Sequence, residues 1–367
     1  MKYLFVVQGE GRGHFTQALS MKSMLERNGH EVVAVMVGCS AKRKLPGFFS
    51  DKINSEVVQF QSPNFLPTPK GKNSPLLISI AYNLMLLPVY VTSMLTIRRT
   101  IKEKQPDVVI NFYELMCGLT YAAFNPKVPM ISVAHQYYFT TPDFKYEGDE
   151  AWQFKLLNFY SGLTSLNASK ILALSFREER NLQYGKTIIV PPLLREEVLQ
   201  KEIIEGDYIH GYMLNSGYAK ELSEWSNENP GQTLHFFWDK KNVNETEALT
   251  SDLTMHQLSD SLFLDYMAGC KAYATTGGFE SVCEAMYLQK PVLMVPTHIE
   301  QTCNVMDAIR SGAGVTANEF ELDLLLDFVP KHNKSMEFRN WTRNAEAHFL
   351  YELTRIEFEE ESIFAML

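Results

Sequence analysis

The sequence predicts an α/β protein built as two βαβ domains that face a central cleft. Three observations carry this. The chain has 367 residues, more than one ordinary core holds. Short apolar runs alternate with longer amphipathic ones in both halves, as parallel sheets covered by helices require. The alternation breaks at Pro191–Pro192, a pair that can continue neither a helix nor a central strand. We therefore expect an N-terminal domain over 1–194 and a C-terminal domain over 195–344. A C-terminal helix over about 345–367 would be free to pack back on the first domain.

The elements follow in order. KYLFVVQ (2–8) is the first strand. FTQALSMKSMLERNG (15–29) is a helix, with Ala18, Leu19, Met21 and Leu25 apolar and Gly29 as its stop. HEVVAVMVG (30–38), DVVINFY (107–113), PMISVAH (129–135) and KILALS (170–175) are further strands. After the break at 187–198, YIHGYMLN (208–215) starts a second alternation, followed by the helix YAKELSEWSNEN and the strand TLHFFWD (233–239). CKAYATT (270–276) and PVLMVP (291–296) complete the readable strands. Residues 336–367 read as one or two helices. In such sheets ligands bind at the strand C-termini, so the cleft is the expected site.

Composition sets the class. With 46% hydrophobic and 21% charged residues the chain is globular. Its five cysteines form no CxxC pair, which indicates neither a disulfide framework nor a zinc site and fits a reducing cytoplasm. YLFVV is too short for the core of a signal peptide. Residues 1–195 hold 22 basic and 14 acidic residues, against 12 and 29 in 196–367. The basic half would suit an anionic partner such as a membrane surface, or the asymmetry is simple drift. Residues 74–97 carry no charge. They read as a buried helix pair, as a surface that touches membrane or lipid acceptor, or as a span. The flanking Lys70, Lys72, Arg98, Arg99, Lys102 and Lys104 favour the surface that touches membrane or lipid acceptor, because basic rims attract anionic lipid.

The first chemical motif is GEGRGH (9–14). A dinucleotide fingerprint needs a third glycine where His14 stands, and an acid at the end of the second strand, where the chain reads VMVGCS. Both are missing, which disfavours NAD. What remains is a glycine turn that offers backbone N–H groups to an anion and places His14 at a helix N-terminus. The dipole there lowers an imidazole's pKa, so His14 is either a neutral general base or a cap of the turn.

The second motif spans 272–314. After a strand come Gly277 and Gly278, then a helix that opens with Glu280 and Ser281. Its N-terminus suits a diphosphate, and Ser281 adds a hydroxyl donor. Glu284 lies one turn inward, where a carboxylate can take both hydroxyls of a ribose. Glu300 and Gln301 follow after the next strand.

With these residues in place, the chain resembles the GT-B glycosyltransferases, with two Rossmann-like domains. It looks most like the branch holding the UDP-glycosyltransferases and the N-acetylglucosaminyltransferase of peptidoglycan synthesis. Gly13 and His14 match that branch's N-terminal G-x-x-GH, and TGGFESVCEA, KPVLMVP, EQ and N match its donor signature. The resemblance implies diphosphate contacts from Gly278 and Ser281, ribose binding by Glu284, and sugar contacts from Glu300 and Gln301. SLFLDYMAGC resembles the uracil-reading segment, so the Leu264 backbone and Met267 would frame the base. Asn215, Ser216 and Gly217 match the second phosphate loop. His14 would be the catalytic base.

Two departures stand out. Thr276 occupies the place where relatives carry a histidine or an arginine, so Arg12 or backbone amides would have to serve the leaving diphosphate. The strand that often supplies an aspartate partner for the base gives Asn111 and then Glu114, and Glu114 is the candidate partner. His135 and Gln136 would line the acceptor pocket, or His135 is simply satisfied at a strand end. The expected reaction is an inverting hexosyl transfer from a UDP-sugar to a hydroxyl acceptor, either a lipid or a cell-envelope glycan, with no metal, no other cofactor and no nucleic acid partner. Peripheral membrane contact would run through the N-terminal domain. The rivals are a non-hydrolysing UDP-sugar epimerase, disfavoured because Ala285 follows Glu284, and a non-catalytic nucleotide-sugar-binding protein.

Overall fold

The structure, a computed structural model, describes residues 1–40, 43–63, 83, 85–213, 216–239 and 245–355. In the first half the strands are β1 (Lys2–Gln8), β2 (Glu31–Cys39), β3 (Val57–Gln61), β4 (Val108–Phe112), β5 (Met130–Ala134), β6 (Lys170–Leu174), β7 (Gln183–Tyr184) and β8 (Thr187–Val190). They form one sheet in the order β3-β2-β1-β4-β5-β6-β8-β7. All pairs are parallel except β7–β8. Residues 3–7 of β1 are fully buried, because helices cover both faces of a parallel sheet. The helices here are α1 (Arg12–Arg27), α2 (Gly47–Ile53), α3 (Leu87–Lys104), α4 (Leu115–Phe124) and α5 (Ala151–Thr164).

Residues 187–190, placed by sequence in the break between domains, are thus a strand of the first sheet. Their polar neighbours hide the pattern, but Ile189 and Val190 are buried in it. After Pro191–Pro192 a single short turn, α6 (Glu196–Leu199), leads to the second sheet.

That sheet comprises β9 (Ile209–Met213), β10 (Leu234–Trp238), β11 (Thr246–Ala248), β12 (Leu253–Gln257), β13 (Ala272–Thr275), β14 (Val292–Met294) and β15 (Gly314–Thr316). Its order is β11-β12-β10-β9-β13-β14-β15, parallel except for β11–β12. Around it lie α7 (Ala219–Glu228), α8 (Asp260–Gly269), α9 (Phe279–Tyr287), α10 (Ile299–Arg310) and α11 (Leu322–Phe328). The last helices among the described residues are α12 (Glu337–Arg343) and α13 (Ala345–Thr354). α13 lies against the first half: Tyr3 Oη donates to Leu353 O at 3.3 Å and Lys170 Nζ to Glu352 at 2.8 Å. Residues 356–367 lie outside the described residues.

Of the uncharged segment 74–97, residues 74–82 and 84 lie outside the described residues. The remainder enters α3, whose inner face buries Tyr90, Ser93, Ile97 and Ile101. Its outer face leaves Leu87, Val91 and Leu95 exposed at four-residue spacing. Among the described residues, no helix is long and apolar enough to cross a membrane.

Candidate active site

The two β–turn–helix corners singled out by sequence meet in the cleft. Gly9 is the packing glycine of the first. Its N–H donates to Gly38 O at 2.7 Å, and a Cβ there would meet the same oxygen at 2.7 Å. The chain can then turn into α1, which starts at Arg12 with Gly11 as N-cap and no capping side chain. The helix begins three residues before the expected start, so Gly13 and His14 belong to its first turn. Gly277 is the glycine of the second corner. Its φ is +81°, and a Cβ would strike Val305 at 2.7 Å. α9 follows with Gly278 as N-cap, again without a capping side chain. Uncapped first-turn N–H groups from both halves therefore point into one region.

The corners touch. A Cβ on Gly13 would lie 3.2 Å from Glu280 Cγ, and Gln17 Nε2 donates to Glu280 Oε1 at 2.6 Å. Burial pushes the Glu280 carboxyl up to about 8, with the Glu284 charge adding to this, and with the Gln17 amide and Arg195 opposing it.

His14 packs its ring against Tyr113 at 5.8 Å, nearly parallel, and its Nδ1 is buried without a partner. Burial lowers its pKa below the usual imidazole value, while the Glu300 charge and Gln17 act in the opposite direction. His14 is thus a neutral imidazole at neutral pH, through burial rather than through the helix dipole alone. Tyr113 holds φ +60° at the end of β4, a strained conformation for a bulky side chain of the kind that gathers at functional sites. Its hydroxyl bonds Ser161 at 2.7 Å, and Tyr137 and Tyr160 pack around it.

Glu114 does not partner His14. It is fully buried as N-cap of α4, where it accepts from Ser62 Oγ at 2.5 Å and from Met116 N at 3.0 Å. It lies against Gly38, where a Cβ would meet its Oε2 at 2.3 Å. The turn is tied by Asn111, whose Nδ2 donates to Glu114 O and Thr164 O. The carboxylate that acts on His14 comes from the other half, Glu300.

Several expected residues do converge. Gln136 Nε2 donates to Glu300 Oε1 across the cleft at 2.8 Å. Gln301 Oε1 accepts from Thr297 N at 2.9 Å, and its Nε2 donates to Thr276 Oγ1 at 3.4 Å. Asn304 Nδ2 donates to Gly277 O at 3.2 Å. Ser281 Oγ donates back to Gly278 O at 3.3 Å.

Others do not face the cleft. His135 is 1% exposed and stacks on Phe279 at 4.0 Å, with Nδ1 bonded to Leu174 O at 2.7 Å and Nε2 3.6 Å from Asp307. It is an interface residue between the two halves, not part of an acceptor wall. The side chains of Leu264 and Met267 lie on the inner face of α8 in the core, because the apolar face of that helix turns to the sheet, which takes the Met267 side chain away from a base. The first turn of α8 lies at the cleft instead: Asp260 pairs with Arg12 at 3.3 Å. Arg12 also stacks on Phe48 at 4.3 Å, so it is not turned to the start of α9. Gly217 is exposed in a 3₁₀ turn after β9. Asn215 and the side chain of Ser216 lie outside the described residues.

Sequence reasoning missed Arg195. Its Nε donates to Glu284 Oε1 at 2.6 Å, and both side chains are buried or nearly so. It stands three residues past the Pro-Pro pair, where nothing local marks a charge that reaches into the second half. The role of Glu280 was missed as well, although it stands inside the quoted motif.

Two Rossmann-like sheets joined by a short linker, with their β–turn–helix corners brought together, are the GT-B fold of the glycosyltransferases. The chain belongs to glycosyl transferase family 1, whose family model matches residues 1–332. Solved structures with the same fold include the glycotransferase of kitacinnamycin, 15% identical over 96% of this chain and 98% of that one, TM-score 0.64. Phytolacca americana UGT2, complexed with UDP-2fluoro-glucose and pterostilbene, is 13% identical over 96% and 98%, TM-score 0.60. Acinetobacter baumannii MurG is 15% identical over 97% and 100%, TM-score 0.54. No curated protein sequence matches the chain.

Proposed function

We propose that the protein is an inverting, metal-independent glycosyltransferase that moves a hexosyl group from a UDP-sugar to a hydroxyl acceptor. The observation that carries this reading is the meeting of two uncapped helix N-termini beside the unpartnered Nδ1 of His14. Residues 195–344 hold the donor and 1–194 the acceptor. The first N–H groups of α9, with Gly278, Ser281 and Gly13, bind the diphosphate, and the loop 215–217 adds a second contact. Glu284 takes the ribose with the oxygen that Arg195 leaves free. Glu300 and Gln301 read the sugar. His14 accepts the hydroxyl proton as the acceptor oxygen bonds to the anomeric carbon, and the diphosphate departs with the electron pair. A single displacement inverts the centre. The UDP-2fluoro-glucose complex of the plant neighbour is the precedent for a uracil nucleotide.

The acceptor in this reading is lipid-linked and is met at the cytoplasmic face of a membrane. On α3 the exposed line Leu87, Val91, Leu95 runs on into exposed Arg99 and Lys102. Across α4, α5 exposes Trp152, Leu156 and Phe159. An apolar strip ending in cations suits acyl chains and anionic headgroups.

Calorimetry with UDP, GDP, dTDP and NAD tests the donor, on the wild type and on Glu284→Ala. Tight UDP binding, lost in the variant, is expected; no nucleotide binding would sink the reading. His14→Ala should keep UDP and lose about 10²–10⁴-fold in transfer. Sedimentation with phosphatidylglycerol vesicles, compared with phosphatidylcholine, tests the membrane face: Trp152→Ser with Phe159→Ser should abolish a selective association.

A further inference from the structure

The leaving diphosphate is the unsolved part of this site. Thr276 stands where a cation would serve it, and Thr276 is bonded to Gln301. The cations nearby are already paired: Arg12 with Asp260, Arg195 with Glu284, and Lys52 with Glu197. At the mouth of α9 the side chain that does reach across the cleft is Glu280. As an ion it would compete with a diphosphate for the same helix ends and repel it.

We infer that Glu280 meets the donor as a neutral carboxyl and donates a hydrogen bond to the diphosphate from the oxygen that Gln17 does not occupy. The inference rests on the nucleotide-sugar reading above. The geometry supports it in three ways. Glu280 is in the first turn of α9, directly after the Gly277–Gly278 corner. It is wedged against Gly13, one residue from the proposed base. Its partner on α1 is an uncharged amide at 2.6 Å, which accommodates a protonated acid without a countercharge.

The groups facing it are the Gln17 amide on α1, Glu284 and Cys283 on α9, and Arg195 from the linker. Arg195, which favours the ionised form, is itself held by Glu284 at 2.6 Å, and Arg12 is held by Asp260. Its carboxyl pushed up to about 8 keeps the proton at neutral pH. A carboxylic acid held neutral so that it can donate is a known catalytic device. Glu280 keeps its proton throughout. The acceptor's proton goes to His14, and the electron pair of the broken C–O bond goes to the diphosphate oxygen that Glu280 faces.

The experiment is calorimetric binding of UDP and of dTDP from pH 6.5 to 9, on the wild type and Glu280→Gln. Wild-type affinity should fall about tenfold or more as pH rises through 8. In Glu280→Gln, whose amide still donates but cannot ionise, that fall should be absent. Titration of the nucleotide cancels in the comparison. Glu280→Asn replaces Glu280→Gln if the latter melts early. Parallel wild-type and variant profiles would overturn the role of Glu280 and leave the donor site standing. Failure of the wild type to bind either nucleotide at any pH would overturn the donor site and this inference with it.

Discussion

Gln136 and Glu300 belong to different sheets and meet over the cleft, amide to carboxylate, at 2.8 Å. Gln136 follows β5 and Glu300 opens α10, so their bond closes the site beside His14. The same carboxylate raises the His14 pKa against the effect of burial.

Glu300→Gln removes that charge. His14 should then hold its proton less well, and the acid limb of the rate–pH profile should move to lower pH. The sign follows because the neutral imidazole is the active form and the Glu300 charge favours the imidazolium. An unmoved acid limb, with transfer otherwise measurable, would remove His14 from the role of base.

Arg195→Met leaves Glu284 buried without its cation. Uncompensated buried charges cost about 3–5 kcal/mol, so urea unfolding should show a loss of that order. Arg195→Met with Glu284→Gln should recover much of it, because the orphaned charge is gone. Equal losses in the single and double variants would mean that the pair contributes through shape alone.

Asp307 is buried beside His135, and burial pushes its carboxyl up to about 7. A raised acid pKa contributes stability that is present below about pH 4 and lost as pH rises through 7. His135, held to about 3 by burial, works the other way and loses stability as pH falls from about 6.5. Asp307→Asn keeps the His135 contribution and removes the other. The variant should gain on the wild type by about 2–4 kcal/mol between pH 4 and 8. Thermal melts at matched pH measure it, and a constant difference would place the Asp307 titration elsewhere.

Gly9→Ala drives a Cβ onto a backbone oxygen of β2 at 2.7 Å. The corner has to shift, at a cost of about 1–3 kcal/mol. Because the shift moves Gly13 and His14, transfer should fall further than nucleotide binding does. Gly11→Ala, with only the Gln8 amide oxygen 4.0 Å away, is the control and should be tolerated.

The local order of strand, glycine corner and helix was legible because each part is a short-range matter. The β1 run, the turn at Gly9 and the repeat through Leu25 announce themselves within thirty residues. So does the corner at Gly277, whose positive φ only glycine takes easily. The short strands β11, β12 and β15 were not legible, since three to five residues with polar members carry no clear period.

By itself the sequence determined the two-sheet α/β class, the two glycine corners that lead into uncapped helix N-termini, and the placement of His14 at one of them. These depend on periodicity and on the conformations glycine allows. Pairing was decided only in three dimensions. Which carboxylate faces His14, which cation holds Glu284, and that Glu280 bridges to Gln17 all join residues 89 to 286 positions apart. Chain distance carries no information about such contacts. They are set by how the two sheets dock, and docking follows from the buried surface between them rather than from any local pattern.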